Sequence, residues 1–436
     1  MIDRRGRRGG RGLSGIALSG VVIASAVACA GGGGDSGVAT TTVVTTTTLA
    51  PRPSDGVLRL GVLMPQSGPG ADLGRAVLNS VRIAVREVNL AGGVLGRDIE
   101  VVTADEGADI PTALAAVNTL IVDEGADAII GPASSRIALG VLGQVVGQGV
   151  LACSPVATAI ALSSFPDQGL FFRTVPSDAL QADAIARLVD QTGRNRVGVL
   201  HPDDVYGRDF ADAVVLALTA QGTEVTATVG YAPDADDLSG PAREVVADEP
   251  PAVVVLGNAD LGARMLVAAA EAAGSPSPWF IVNDAIRRPL QPSALAELDE
   301  IRRQRLRGVS PAVLPTSPEL LARLGATERD PATMFASMAF DCVNLIALGA
   351  LDSDTDDARA IAADLVTLSR GGSTCRDFAS CAQLLREDRN VDYNGLEGLL
   401  RLDNQGDVSA GAFERFAFDE TGRDITDLRF TVGTVN

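Results

Sequence analysis

From Val57 onward, short aliphatic runs alternate with longer stretches whose apolar residues recur every three or four positions. The short runs read as buried strands and the longer stretches as amphipathic helices. Strands are predicted at 58–64, 99–103, 128–130 and 150–152, with helices at 73–89, 110–124 and 136–146 between them. An extended, proline-ended segment at 171–176 breaks this rhythm. A second series then follows, with strands at 196–200, 224–230, 252–256 and 279–282 and helices at 178–191, 207–221, 239–248 and 260–273. Strands and helices in alternation imply a parallel sheet with right-handed crossovers, so the two series imply two Rossmann-like α/β lobes. Past Asp284 the pattern weakens to a helix at 295–305, a long apolar helix at 334–351, a hairpin at 395–407 and a strand at 415–418.

Two turns stand out within the first series. Gly131-Pro132-Ala133-Ser134-Ser135 ends a strand where a helix begins, and Ser154-Pro155-Val156-Ala157-Thr158 ends the next strand. A helix start gathers hydroxyls and unpaired N–H groups, which makes it a seat for an anion. In an open parallel sheet both turns face the crevice beyond the carboxyl ends of the strands.

The N-terminal region has a different character. Arg4, Arg5, Arg7, Arg8 and Arg11 precede an uncharged run from Leu13 to Ala28, which reads as a signal peptide over residues 1–28. The run is short for a membrane span, which needs about 20 residues. Residues 29–56 are rich in Gly, Thr and Pro and cannot bury a core. They read as a flexible tether, and the 26 residues from Gly31 to Gly56 reach roughly 25–30 Å. The formal net charge is −19 and no lysine is present, so a basic surface for nucleic acid is excluded. Hydrophobic residues make up 46% and aromatics only 4%, consistent with an Ala/Val/Leu/Ile core.

GPASS followed by SPVAT, with Gly395, Gly398, Asp403, Gly406 and Asp407 near the end, resembles the branched-chain amino-acid-binding family of periplasmic type I solute-binding proteins. The similarity runs from about Leu58 to Asp419. It implies a two-lobed clamp that closes by hinge bending on a small ligand, an amino acid, amide or small organic acid. It places lobe 1 at 57–175 and 285–395 and lobe 2 at 176–284 and 396–436, with Asp284 at the second crossing. Position by position, Ser134 or Ser135 and Thr158 match hydroxyls that hold a ligand carboxylate, and Val156 adds backbone groups. Tyr206 matches the aromatic that closes over the ligand. Asp284 matches the carboxylate that pairs with a ligand ammonium, and Phe335 matches an apolar wall. Leu73 and Asn258 stand where some amino-acid binders carry aromatics, which implies a pocket of different shape. Ala26-Val27-Ala28-Cys29 resembles a lipobox, so Cys29 is expected to carry a lipid that holds the protein at the extracytoplasmic face of the cell membrane. The same resemblance implies a monomer that delivers its ligand to an ABC permease, with no cofactor and no enzymatic activity.

Cys375 and Cys381, in a polar loop of an exported chain, are expected to pair locally. Cys153 and Cys342 read as buried thiols or a second bridge. His201, the single histidine, has no nucleophile or metal partners in its pattern. Two other readings remain. Gly68, Gly70 and Gly74 approach the G-x-G-x-x-G pattern of a dinucleotide-dependent oxidoreductase, although one spacing differs and Asp105 lies too far on. A sensory module of the same fold, reporting ligand to a receptor, is the third.

Overall fold

The computed structural model describes residues 54–257, 259–287, 297–327, 329–398, 400–419 and 424–434. Cys29 and Asn258 therefore lie outside the described residues, as do the signal peptide and most of the tether; of the helix expected at 295–305, residues 297–305 are described and the helix is the shorter Glu300–Gln304.

The first sheet is wholly parallel, in the order β2-β1-β3-β4-β5. Its strands are β1 (Arg59–Met64), β2 (Glu100–Asp105), β3 (Ala128–Ile130), β4 (Leu151–Ser154) and β5 (Phe171–Arg173). They are linked by α1 (Ala71–Leu90), α2 (Ile110–Asn118, continued by a π-helical turn) and α3 (Ser135–Gly147). Leu60, Val62, Ile130 and Cys153 face one core, and Leu63, Ile129 and Ala152 face the other. Burial on both faces explains why these strands are continuous apolar runs rather than alternating ones. The segment at 171–176, read as a break, supplies the fifth strand.

The chain then enters α4 (Asp178–Gln191) and builds the second sheet, in the order β14-β13-β10-β9-β8-β6-β7. Here β6 (Arg196–Pro202), α5 (Val205–Ala220), β7 (Glu224–Tyr231), α6 (Ser239–Val245), β8 (Ala252–Val255), α7 (Ala259–Ala272), β9 (Trp279–Asn283), α8 (Asp284–Arg287), α9 (Glu300–Gln304) and β10 (Leu306–Pro311) follow in sequence. Two cores again flank the sheet, with Phe280 and Val282 on one side and Ile281 on the other.

The crossing expected at Asp284 is displaced. β10 pairs in parallel with β9, Gly308 opposite Val282, so the chain stays in the second lobe to Pro311. Arg307, Gly308 and Ser310 dilute the apolar signal of this strand, and Gly308 is needed because a side chain there would collide with the Phe416 ring. The first lobe resumes with α10 (Pro318–Leu324), whose Leu320 joins the first core, and α11 (Ala336–Ser353). α11 is long and apolar enough to cross a membrane, but it is enclosed by the first lobe's core, with Asp341 and Asn344 buried on it. α12 (Ala358–Leu368), β11 (Ser373–Cys375), α13 (Phe378–Arg386) and β12 (Val391–Tyr393) complete that lobe. The hairpin expected at 395–407 reduces to a tight turn closed by a single bridge between Leu402 and Val408. The final strands, β13 (Ala410–Phe418) and β14 (Asp424–Gly433), add antiparallel to β10 and return the chain to the second lobe.

Two disulfides close within the first lobe. Cys375–Cys381 forms the local loop, and Cys153–Cys342 joins the end of β4 to α11. The second pair is thus a bridge.

Candidate functional site

Both turns singled out in the sequence lie at the carboxyl edge of the first sheet and brace each other. Ser154 Oγ donates to the Pro132 carbonyl at 2.7 Å and accepts from Val156 (3.3 Å) and Ala157 (2.9 Å) amides. Ser134 caps α3 through the Ile137 amide. Ser135 Oγ accepts from the amides of Thr158 and Ala159, both at 3.2 Å. With its oxygen so used, the Ser135 proton remains available to a ligand acceptor.

The anion seat expected at this helix start is already partly filled. Glu106, one residue past β2, accepts from the Ala133 amide at 2.7 Å and the Ser134 amide at 3.3 Å. Burial pushes its carboxyl up to about 7 despite those donors. The first amides of the loop are therefore already taken. Neighbouring Asp105 pins the first loop, accepting from the Gln66 amide and the Ser67 hydroxyl. Val156, Leu73 and Phe335 are half-buried against the first core. Phe335 caps α11 at φ 59°, the left-handed region, while its amide donates to Val313 beside the second crossing.

The other wall comes from the second lobe. Asp204 caps α5 through the Gly207 amide, and Tyr206 in its first turn is half-buried against the second lobe's core, its ring 6.0 Å from that of Phe210. The first-lobe turn Ile160–Leu162 lies against α5, so the lobes approach each other here. Asp284 opens α8, and Gln181 Nε2 donates to its Oδ1 at 2.8 Å and to the Val309 carbonyl at 3.0 Å. Burial raises the Asp284 carboxyl above its ordinary value. Gly257 is held by a reciprocal pair with the buried Asn283 side chain. His201 is buried with Nδ1 on the Pro202 carbonyl.

A second carboxylate completes the cluster. Asp178, at the first turn of α4, is 2% exposed, and its Oδ2 has no hydrogen-bond partner among the described residues. Burial and the charge of Asp284 push it up to about 7, with Thr158 and Arg173 pulling the other way. Tyr206 senses the same pair, since burial and the charges of Asp178, Asp284 and Asp204 hold its phenol well above its ordinary value. Thr158, Asp178, Gln181, Tyr206 and Asp284 thus converge from both lobes.

A family model described as periplasmic binding protein matches residues 57–369. The chain belongs to that family. Among periplasmic binding proteins, the chemotactic signal transduction system substrate-binding protein BasB of Halobacterium salinarum is 27% identical over 369 residues, covering 79% of this chain and 83% of that one. The Leu/Ile/Val-binding protein homolog 3 of Brucella melitensis is 25% identical over 377 residues, covering 83% and 92%. An ABC transporter substrate-binding protein from Desulfitobacterium hafniense, solved in complex with Leu, superposes with a TM-score of 0.64 at 21% identity, over 85% of this chain and all of the other. A solute-binding protein from Rhodopseudomonas palustris, solved with p-hydroxybenzoic acid, gives 0.66 at 18% identity, over 87% and 98%. Those two likenesses establish the type I, two-lobed fold.

Within this periplasmic binding protein, the glycines that approach a dinucleotide pattern have a local explanation. A Cβ on Gly74 would strike the Pro65 carbonyl oxygen, and Gly207 of the second lobe stands in the same relation to Pro202. Each lobe packs the helix that follows its first strand tightly on the end of that strand. Asp178, Gln181 and Glu106 are the site residues that sequence reading misses. Asp178 and Gln181 do share a helix face by their three-residue spacing, but an acid in a first turn is ordinary helix chemistry.

Proposed function

We propose that this protein is an extracytoplasmic solute-binding protein for a small ligand carrying an ammonium group, foremost an α-amino acid, which it delivers to an ABC permease. The observation that carries this reading is the pair Asp178 and Asp284, two buried carboxylates of which one has an unpartnered oxygen. Such a pair is costly to bury charged and gains most from a cation placed between them. Ser135, with the Thr158 hydroxyl beside Asp178, would take the carboxylate, and Tyr206 would close over the side chain. Phe335 and Leu73 would line the apolar end, with Asn258 at the rim. The reading includes a lipid on Cys29, a monomeric protein, and 57–175 with the later first-lobe segments as the lobe that binds the acid end.

The test is calorimetry of the purified protein with α-amino acids and with the same carbon skeletons lacking the amine. Binding of amino acids and silence from the deaminated acids supports the proposal. Equal binding of both removes the ammonium role of the aspartates. A sensing role uses the same clamp, and the naming of the Halobacterium relative as a chemotactic substrate-binding protein favours keeping it as the second reading. Deletion of the binding protein itself separates them, since uptake of the ligand fails in the first case and only the response to ligand fails in the second.

A further inference from the structure

Arg173, at the end of β5, is 0% exposed, and a fully buried guanidinium requires its donors to be used. Its Nε and Nη2 donate to the two oxygens of Asp407 at 2.5 and 2.8 Å. Nη2 also reaches Ser163 Oγ at 2.6 Å, and Nη1 donates to the Ala159 carbonyl at 2.9 Å and the Ala157 carbonyl at 3.5 Å. Those two carbonyls flank Thr158. The remaining backbone groups of Thr158 are also fixed, its amide by Ser135 Oγ and its carbonyl by the Asp178 amide at 2.9 Å. The Thr158 hydroxyl is the one group of the residue aimed at the aspartate cluster, where it donates to the Asp178 carboxylate.

Asp407 is itself built in. It lies in the turn before the third crossing, where Asp403 Oδ1 accepts its amide at 3.0 Å and the Gly406 carbonyl accepts the Arg173 amide at 2.9 Å. One guanidinium therefore ties the third crossing segment to both sides of Thr158.

We infer that Arg173 and Asp407 form a positioning unit that presents the Thr158 hydroxyl to the ligand and couples its placement to the hinge. Both are buried, Arg173 fully and Asp407 at 7% exposure, so they act through the groups they hold. The inference rests on the reading of Thr158 as a ligand contact, so its test has one arm that needs no ligand.

In the first arm, hydrogen exchange is followed in the ligand-free protein and in Asp407→Asn. The Thr158 and Ala159 amides should exchange at least about tenfold faster in the variant, with the amides of β3 and β4 unchanged. In the second arm, L-leucine affinity is measured for wild type, Asp407→Asn, Thr158→Ala and the double variant. Asp407→Asn should weaken binding about tenfold alone and no more than about twofold on the Thr158→Ala background, because residues acting as one unit are non-additive. A merely structural ion pair would lower the melting temperature while its effect on binding stayed additive. If Asp407→Asn does not fold, Ser163→Ala removes one Arg173 contact and leaves the ion pair, and a smaller change in the same two readouts is expected. Unchanged exchange at Thr158 and Ala159, or additive binding losses, overturns the inference. If L-leucine gives no heat with wild type, or Thr158→Ala binds like wild type, the proposed ligand site fails and the exchange arm alone decides the positioning role.

Discussion

Asp178 and Asp284 are buried carboxylates at the first turns of α4 and α8, the charge of one acting on the other, yet of the two only Asp284 accepts from Gln181. That asymmetry leaves Asp178 as the group whose charge depends on what enters the crevice. Its carboxyl lies at about 7, so near neutral pH it is partly protonated when empty. An ammonium placed beside it favours the charged form, so binding releases a proton. Amino-acid affinity should therefore rise with pH through the region around 7 and level off above it. Calorimetry in buffers of different ionisation enthalpy should count the released proton, and Asp178→Asn should flatten the profile. A profile that falls with rising pH contradicts the assignment.

Replacing either aspartate by asparagine should weaken amino-acid binding by about 1.5–3 kcal/mol, the range for hydrogen bonds to charged groups. The fold should persist, since burial favours the neutral side chain at both positions. Paired affinity measurements and thermal melts separate the two effects, and an unchanged affinity in both variants would discard the cluster as the site.

Stability of the ligand-free protein should fall as pH rises from about 5 to 8. Glu106, Asp178 and Asp341 all lie at about 7 in the folded state, raised by burial. The folded protein then holds more protons than the unfolded chain between the ordinary carboxylate range and 7, so deprotonation there favours unfolding. Asp105 acts in the opposite sense, its carboxyl lowered by the hydrogen bonds of the first loop, but it titrates below this window. Melting curves at about pH 5.5 and 8 check the sign, and saturating amino acid should narrow the difference by pairing Asp178.

Gly74→Ala and Gly207→Ala should each destabilise the protein by about 1–3 kcal/mol, since the added methyl meets a strand-end carbonyl rather than a flexible side chain. Gly207→Ala should also lower affinity, because it displaces the turn that carries Tyr206. Gly143→Ala, where a methyl meets open space, is the control and should melt like wild type.

Breaking Cys153–Cys342 with paired serines should cost about 3–5 kcal/mol, as expected for a loop of its sequence separation of 189. The Cys375–Cys381 pair, with a separation of 6, should cost about 2 kcal/mol. Chemical denaturation of the two double variants compares them directly, and the order should be as given.

Much of the architecture is legible in the sequence because the sheets are buried on both faces. A strand such as Ala252–Val255 has no polar side to confuse its pattern. β10 is hidden for the opposite reason, as Arg307 lies over the Trp279 ring and Gly308 makes room for Phe416. The serine turns are legible because hydroxyls at a helix start have a local meaning. Glu106 and Asp178 are not, because what distinguishes them from surface acids is the distant chain that buries them. The Cys153–Cys342 partnership is unreadable for the same reason, since no local geometry links β4 to α11.

That partnership has a bearing on how the protein is made. Of its five cysteines, the four in the described residues pair in the order in which they leave the ribosome, Cys153 with Cys342 and Cys375 with Cys381. An oxidant acting on the emerging chain joins the right thiols simply by taking them as they come, with no reshuffling afterwards. The acylation proposed for Cys29 would take its sulfur out of that sequence of pairings altogether.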